Sequence, residues 1–293
     1  MIVIAGATGF VGGHLTHHLL SRGERIKSFA RSDQSAQVLS NKGIEVIRGD
    51  ITVKETLHKT LDADDFVIHL VGIIEEKGSA TFRSIHVDGT AAFIKEAQRA
   101  RVRHFFYQSA LGADLNSWSG YLRTKAEAEE IVRNSGLQYT IFRPSLIIGP
   151  WDGFTKKLID MLKISPVIPM PGEGAARFQP IFIKDWLRCI DKVIAEPGQY
   201  NSIFEIGGPE HISYKEIVTI LAKAAGYQKR LFQIPMGIMK LATSLFSMLP
   251  VAAPITSDQL KLLETDNIGN LNAVKEFFGF QPVRYEEAIK SFI

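Results

Sequence analysis

The sequence predicts an α/β fold, a doubly wound parallel sheet with helices on both faces and a smaller C-terminal α/β lobe. Three observations carry this expectation. Short β-branched runs alternate with helical stretches through the first half, a glycine-rich turn joins the first run to the first helix, and beyond Pro150 the alternation gives way to pieces interrupted by prolines at 166, 169, 171 and 180. The expected division is therefore 1–150 and 151–293, the second part a substrate or partner lobe laid over the carboxyl edge of the sheet with segments that return to it.

Ile2, Val3, Ile4 and Ala5 make the first strand, and a helix over 11–21 follows, closed by Gly23. Strands are expected over 25–30 and 45–48. Thr52 and Glu55 have capping-box spacing and should open a helix. Further strands are expected over 65–71, 104–108 and 139–143, with helices over 89–99 and 121–135 between them. Such alternation implies right-handed crossovers and a sheet buried on both sides. In the second half Ser213 and Glu216 form another capping box, opening a helix that Gly226 ends, and 204–206 returns as a strand.

Composition removes several functional classes. The chain has 293 residues, 45% hydrophobic and 22% charged, with a net charge of +3, ordinary for a globular cytoplasmic protein. Its tightest basic cluster, Arg99 to Arg103, falls where a helix should end and cations answer the dipole, so nucleic acid is not an expected partner. One cysteine, Cys189, rules out an internal disulfide and a cysteine-built metal cage, and its apolar surroundings make it a core residue. The apolar start, Met1 to Ala5, breaks at Gly6 and reads as a strand rather than a targeting segment; no run of about 18 apolar residues exists to span a membrane.

The turn Gly6-Ala7-Thr8-Gly9-Phe10-Val11-Gly12 lies directly between the first strand and the first helix. Glycines there permit a sharp turn, close approach of backbone to a pyrophosphate and tight helix–sheet packing, while the helix start offers free N–H groups to the phosphates. This is the Rossmann-type dinucleotide site. The residue ending the second strand selects the coenzyme: an acid binds a ribose 2′-hydroxyl, a cation a 2′-phosphate. Here the strand ends Ala30-Arg31-Ser32, so Arg31 can fork onto phosphate with Ser32 adding a further bond, and NADP(H) is favoured over NAD(H).

The glycine turn, Arg31, Gly49-Asp50 and Tyr121-Leu122-Arg123-Thr124-Lys125 together resemble the extended and atypical branches of the short-chain dehydrogenase/reductase superfamily. A closer resemblance covers nearly the whole chain. Gln108-Ser109-Ala110-Leu111-Gly112-Ala113, the stretch 121–127, Arg143-Pro144-Ser145, Ile206-Gly207-Gly208-Pro209 and Pro254-Ile255-Thr256-Ser257-Asp258-Gln259-Leu260 are similar to the complex I 39 kDa subunit family. The resemblance implies that Asp50 and Ile51 lie against the adenine, that Leu70, Val71 and Gly72 line the cofactor groove, and that Pro144, Ser145, Leu146 and Ile147 border the nicotinamide. It also implies a catalytic set: Tyr121 as acid/base, with Lys125 and Ser109 assisting.

Spacing agrees with those roles. Tyr121 and Lys125 are four apart and share one helical face, where an ammonium could depress the phenol pKa while holding the nicotinamide ribose. Two functions fit the sequence: an NADP(H)-dependent oxidoreductase acting on a carbonyl or alcohol of an unidentified small molecule, or a nucleotide-stabilised accessory protein peripheral to a membrane oxidoreductase.

Other polar groups read as structural. His14, His17 and His18 have metal-compatible spacing but no acid nearby in sequence; they read as surface or half-buried side chains, and no metal site is expected. His86 stands at a helix start where the resembling family commonly has asparagine, which suggests support for the loop after the fourth strand. Asp62, Asp64 and Asp65 read as a polar turn. The stretch 236–249 is apolar and methionine-rich with Lys240 as its one charge, too short to cross a bilayer; a lid over the substrate cleft and a docking surface for a membrane edge or apolar partner both fit it.

Overall fold

Ile2–Ala5 (β1) is buried at every position because it is an interior strand of a seven-stranded sheet, with neighbours on both sides. The computed structural model describes residues 1–239 and 257–293. After β1 come α1 (Phe10–Ser21), β2 (Ile26–Ala30), α2 (Asp33–Ser40), β3 (Glu45–Arg48), β4 (Phe66–His69), α3 (Gly89–Ala100), β5 (His104–Gln108), α4 (Gly120–Arg133) and β6 (Tyr139–Pro144). Strand order is β3-β2-β1-β4-β5-β6, with Ile203–Ile206 added beyond β6. The pairs from β3 through to β6 are all parallel, as crossover helices require. Under the sheet Val3, Val67, Phe93, Phe105, Tyr107, Val132 and Ile141 form one continuous core.

Contacts group the chain into two units, Met1–Pro144 with Leu187–Glu205, and Ser145–Trp186 with Ile206–Ile293. The second unit is itself α/β. Leu231–Ile234 pairs parallel with Ile168–Pro171, and Ile181–Phe182 with Ile147–Ile148, while Ile212–Ser213 runs antiparallel to Arg177–Phe178. Its helix Tyr214–Ala224 opens on the capping box of Ser213 and Glu216, with Gly226 at φ +78° just past its end. Among the described residues no helix is long and apolar enough to cross a membrane, and no group of three potential metal ligands forms. Cys189 is fully buried.

Several expectations need correction. The box at Thr52 and Glu55 does not form: the Asp50 carboxylate accepts from both the Thr52 N–H (2.9 Å) and its hydroxyl (2.8 Å), leaving a short 3-10 turn over Lys54–Leu57. Helix α2, which the sequence reading missed, is short, with Ala36, Val38 and Leu39 as its apolar side chains; Ser32 caps it by accepting from the Ser35 N–H. The fourth strand stops at His69, and after the Leu70 N–H bonds Ala5 the chain leaves the ladder at 71–72. The histidines of α1 do acquire an acid from far along the chain: Asp191 lies 2.9 Å from His18 Nε2 and 2.6 Å from Arg22.

Three other histidines are sealed inside the first unit. His69 meets Thr90 Oγ1 at 2.9 Å among Phe93, Phe105 and Tyr107; His104 meets Thr140 Oγ1 at 2.8 Å and stacks on Phe66; His86 lies beside Thr124. Burial holds them uncharged, bringing His69 and His86 down to about 3 and His104 to about 4. Unfolding restores each ring to about 6.5, so between pH 6.5 and about 4 the unfolded chain binds up to three more protons from these groups. Their contribution to stability is complete above pH 6.5 and is lost as pH falls through that window, at up to about 4 kcal/mol per pH unit. Urea titrations on either side of pH 6 should show the unfolding free energy dropping on the acid side. A flat profile there would contradict the buried, neutral rings.

Candidate functional site

The glycine turn after β1 is built by backbone crowding. Gly6 adopts φ +100°, and a Cβ there would press on the Leu70–Val71 peptide at 3.1 Å. At Gly12 a Cβ would lie 2.1 Å from the Gly6 carbonyl oxygen, so α1 packs on the turn at a distance only glycine allows. Gly9 stands at the N-cap of α1, and no side chain caps the helix. The start of α1 therefore presents main-chain donors and the positive end of the dipole, flanked by exposed Thr8 and Gly9 and half-buried Phe10 and Val11.

The end of β2 carries the expected cation. Arg31 is 70% exposed, its nearest acid oxygen being Asp50 Oδ2 at 3.9 Å. Ser32 is already engaged, accepting from the Ser35 N–H and donating to Ser35 Oγ at 3.0 Å. Arg48, which the sequence reading passed over, stands beside them: it donates to the Ser32 carbonyl (2.7 Å) and pairs with Asp33 (2.5 Å). Asp50 anchors its own loop, and Ile51 is buried against Gly89.

On the other side of β1, Leu70 donates its N–H to Ala5 at 2.9 Å, leading Val71 and Gly72 past the glycine turn. A Cβ on Gly72 would sit 3.1 Å from Lys125 Nζ and 3.5 Å from His86 Nε2, so the groove residue and the lysine are neighbours. Lys125 is buried, donates to the Gln108 carbonyl at 2.9 Å and lies 5.0 Å from the Tyr107 ring centre. Burial brings it down to about 7, with Glu129 opposing the fall. Ser109, next to Gln108, has a buried hydroxyl with no hydrogen-bond partner among the described residues.

Tyr121 departs from the expected electrostatics. Burial of its phenol pushes it up to about 12, and the neighbouring ammonium does not bring it down. Its ring stands edge-on to His86 (5.7 Å) and Phe82 (5.9 Å). His86 comes from a π-helical turn, Arg83–Asp88, ahead of α3; its Nε2 accepts the Ile73 N–H at 3.1 Å. The same ring nitrogen cannot carry a proton, so Nδ1–H faces Thr124 Oγ1 at 2.9 Å, and Thr124 donates on to Gly120. This is the loop support suggested for His86. Pro144 accepts from the Leu111 N–H at the end of β6. Ser145, Leu146 and Ile147 belong to the second unit: the Ser145 hydroxyl is 2.7 Å from Asn267 Oδ1, the Leu146 carbonyl accepts from Ile181, and Ile147 enters a strand pair.

Sequence similarity decides the family. The NAD(P)H-binding family matches residues 6–153, half of the chain. The chain belongs to the NAD(P)H-binding family. It is 28% identical, over 93% of its length and 71% of the relative's, to NADH dehydrogenase [ubiquinone] 1 alpha subcomplex subunit 9, mitochondrial, of Arabidopsis thaliana. It is 31% identical to the ceramide reductase of Caulobacter vibrioides over 80% of this chain and 74% of that one. The expected kinship with the complex I 39 kDa subunit and with dehydrogenase-type folds therefore holds. Among solved structures, UDP-glucose 4-epimerase of Thermus thermophilus, in complex with NAD, shares the fold at a TM-score of 0.73 and 16% identity, covering 99% of this chain and 96% of that one.

The crowding at Gly12 gives a direct test. Gly12→Ala should cost about 1–3 kcal/mol in urea unfolding, since the added methyl must displace backbone, and should remove dinucleotide binding measured by calorimetry. A variant with the wild-type urea midpoint and full affinity would contradict the packed turn.

Proposed function

We propose that the protein is an NADP(H)-dependent oxidoreductase reducing a carbonyl, or oxidising the matching alcohol, with Tyr121 as acid/base and Ser109 and Lys125 assisting. The observation that carries the reading is the unpartnered, buried Ser109 hydroxyl, one residue from the carbonyl that receives Lys125. A buried hydroxyl without a partner costs about 1–3 kcal/mol, a cost a substrate oxygen would remove on binding.

The donor set fits the coenzyme: uncapped amides at α1 for the pyrophosphate, the exposed Arg31 fork for a 2′-phosphate, and Gly72 leaving room beside Lys125. NADP(H) supplies hydride chemistry when bound. The protein's own part is proton handling and orientation. A phenol at about 12 stays protonated at neutral pH, so Tyr121 is set to donate to a substrate oxygen, which favours the reductive direction. Ser109 Oγ can bond the same oxygen and fix its angle. Lys125, near 7, carries charge in part of the molecules at neutrality and can hold ribose hydroxyls when protonated.

A second reading, a nucleotide-stabilised accessory protein of a membrane oxidoreductase, is favoured by the similarity to the complex I subunit. Its expected docking stretch, 236–249, lies outside the described residues beyond Met239, as do residues 254–256. Under this reading NADPH co-purifies and raises the melting temperature yet is never consumed.

One variant separates these readings and a second tests the coenzyme. Tyr121→Phe should reduce NADPH oxidation with an active carbonyl substrate by about 10²–10⁴-fold while NADPH affinity stays near wild type; turnover that survives removes Tyr121 from the chemistry. Arg31→Ala should weaken NADPH binding by about 10-fold or more and leave NADH unaffected. Equal loss for both coenzymes would assign Arg31 to the fold rather than to the 2′-phosphate.

A further inference from the structure

Helix α4 repeats a polar residue every fourth position on one face: Tyr121, Lys125 and Glu129. The third member has no part in the chemistry above, yet it is among the most deeply buried charged side chains, 2% exposed beside a Lys125 that is 5% exposed. A carboxylate is not buried without cause, since desolvating it costs several kcal/mol unless it is paired and hydrogen-bonded. The pairing is with Arg143 on β6. Arg143 Nε donates to Glu129 Oε1 at 2.9 Å and to Oε2 at 3.2 Å, and Nη2 donates to Oε2 at 2.6 Å. Arg143 immediately precedes Pro144, the last residue of β6. The pair thus fastens the helix that carries Tyr121 and Lys125 to the strand next to β5, whose end holds Gln108 and leads to Ser109.

We propose that Glu129, fixed by Arg143, is a positioning residue: it anchors the Tyr121–Lys125 face to β6 and sets a negative charge one helical turn from the buried Lys125 amine. Spacing of four along a helix puts Lys125 and Glu129 about one turn apart on the same side, and both are removed from water, where a charge is screened little. The direction of the Lys125 shift agrees, Glu129 acting against burial.

The other groups facing Lys125 form a constant background near neutrality. His69 from β4 and His86 from the π-helical turn are both held to about 3, hence uncharged. Tyr121 on the same helix stands at about 12 and Tyr107 from β5 is pushed well above its ordinary value, hence both are neutral phenols. Arg143 stays charged across the range, its guanidinium raised further by Glu129. Lys125 therefore titrates near 7 against fixed neighbours, and Glu129 is the lever on its midpoint.

The proposal rests on the oxidoreductase reading only for its catalytic meaning, and its test needs no turnover. The full chain would be labelled with ¹³C at the lysine Cε, and the Lys125 signal, assigned by its loss in Lys125→Met, followed by NMR against pH. Wild type should titrate near 7. Glu129→Gln should move the midpoint down by about one pH unit, whereas Glu129→Asp, which keeps the charge, should stay close to wild type. Because Glu129→Gln leaves Arg143 half-buried without its carboxylate, Glu129→Gln/Arg143→Met removes both charges together and should lower the midpoint by less, since loss of the guanidinium acts in the opposite sense. An unmoved midpoint in folded Glu129→Gln would reduce the pair to a structural tie and overturn the proposal. So would a double variant that cannot fold, because it would assign the pair to folding alone. Should the shift occur in a protein that never consumes NADPH, the positioning of Lys125 stands and the oxidoreductase reading falls.

Discussion

One close approach governs this protein: the first turn of α1 rests against the Gly6 carbonyl at a distance that leaves no room for a Cβ on Gly12. That contact sets where the helix begins, and the helix begins without a side-chain cap. A helix start normally recruits a Ser, Thr, Asp or Asn to satisfy its amides, worth about 1 kcal/mol. Here the chain forgoes that stabilisation and leaves the amides without a side-chain cap. The rest of the groove is arranged around the same turn, because Gly6 touches the Leu70–Val71 peptide and the loop it begins leads through Gly72 to Lys125.

The second theme is a core that is polar where an ordinary Rossmann interior would be apolar. His69, His86, Lys125 and Glu129 are all buried within the first unit. Each is reconciled with burial differently. The histidines surrender their charge, Lys125 approaches neutrality, and Glu129 keeps a bidentate partner. This costs stability in acid and concentrates titratable groups beside one groove, the pattern expected of a site that moves protons.

Much of the fold was legible because it is written in local signals. β1 reads from four apolar residues followed by glycine, and the helix after Ser213 reads from its capping box. Local signals also explain the misses. Thr52 and Glu55 have the right spacing, but Asp50 reaches the Thr52 amide first, and a competing side-chain turn two residues away is invisible to a spacing rule. Helix α2 escaped because eight residues with only Ala36, Val38 and Leu39 apolar give a short signal, although Ser32 is a good cap. The spacing of Tyr121 and Lys125 was legible; the direction of the Tyr121 shift was not, since it depends on desolvation by residues such as Phe82 and His86 that arrive from another segment. Glu129 could have been found from its place four residues past Lys125. Its partner Arg143 and the tie between Asp191 and His18 required the fold.

The account stands on dinucleotide phosphates meeting the main-chain amides that open α1. The most direct measurement is the amide spectrum of ¹⁵N-labelled protein during addition of NADPH. The Phe10, Val11 and Gly12 signals should move more than those of the rest of the chain and gain protection from exchange. If these signals stay fixed at saturating NADPH while others shift, the nucleotide binds elsewhere and the uncapped helix has some other purpose.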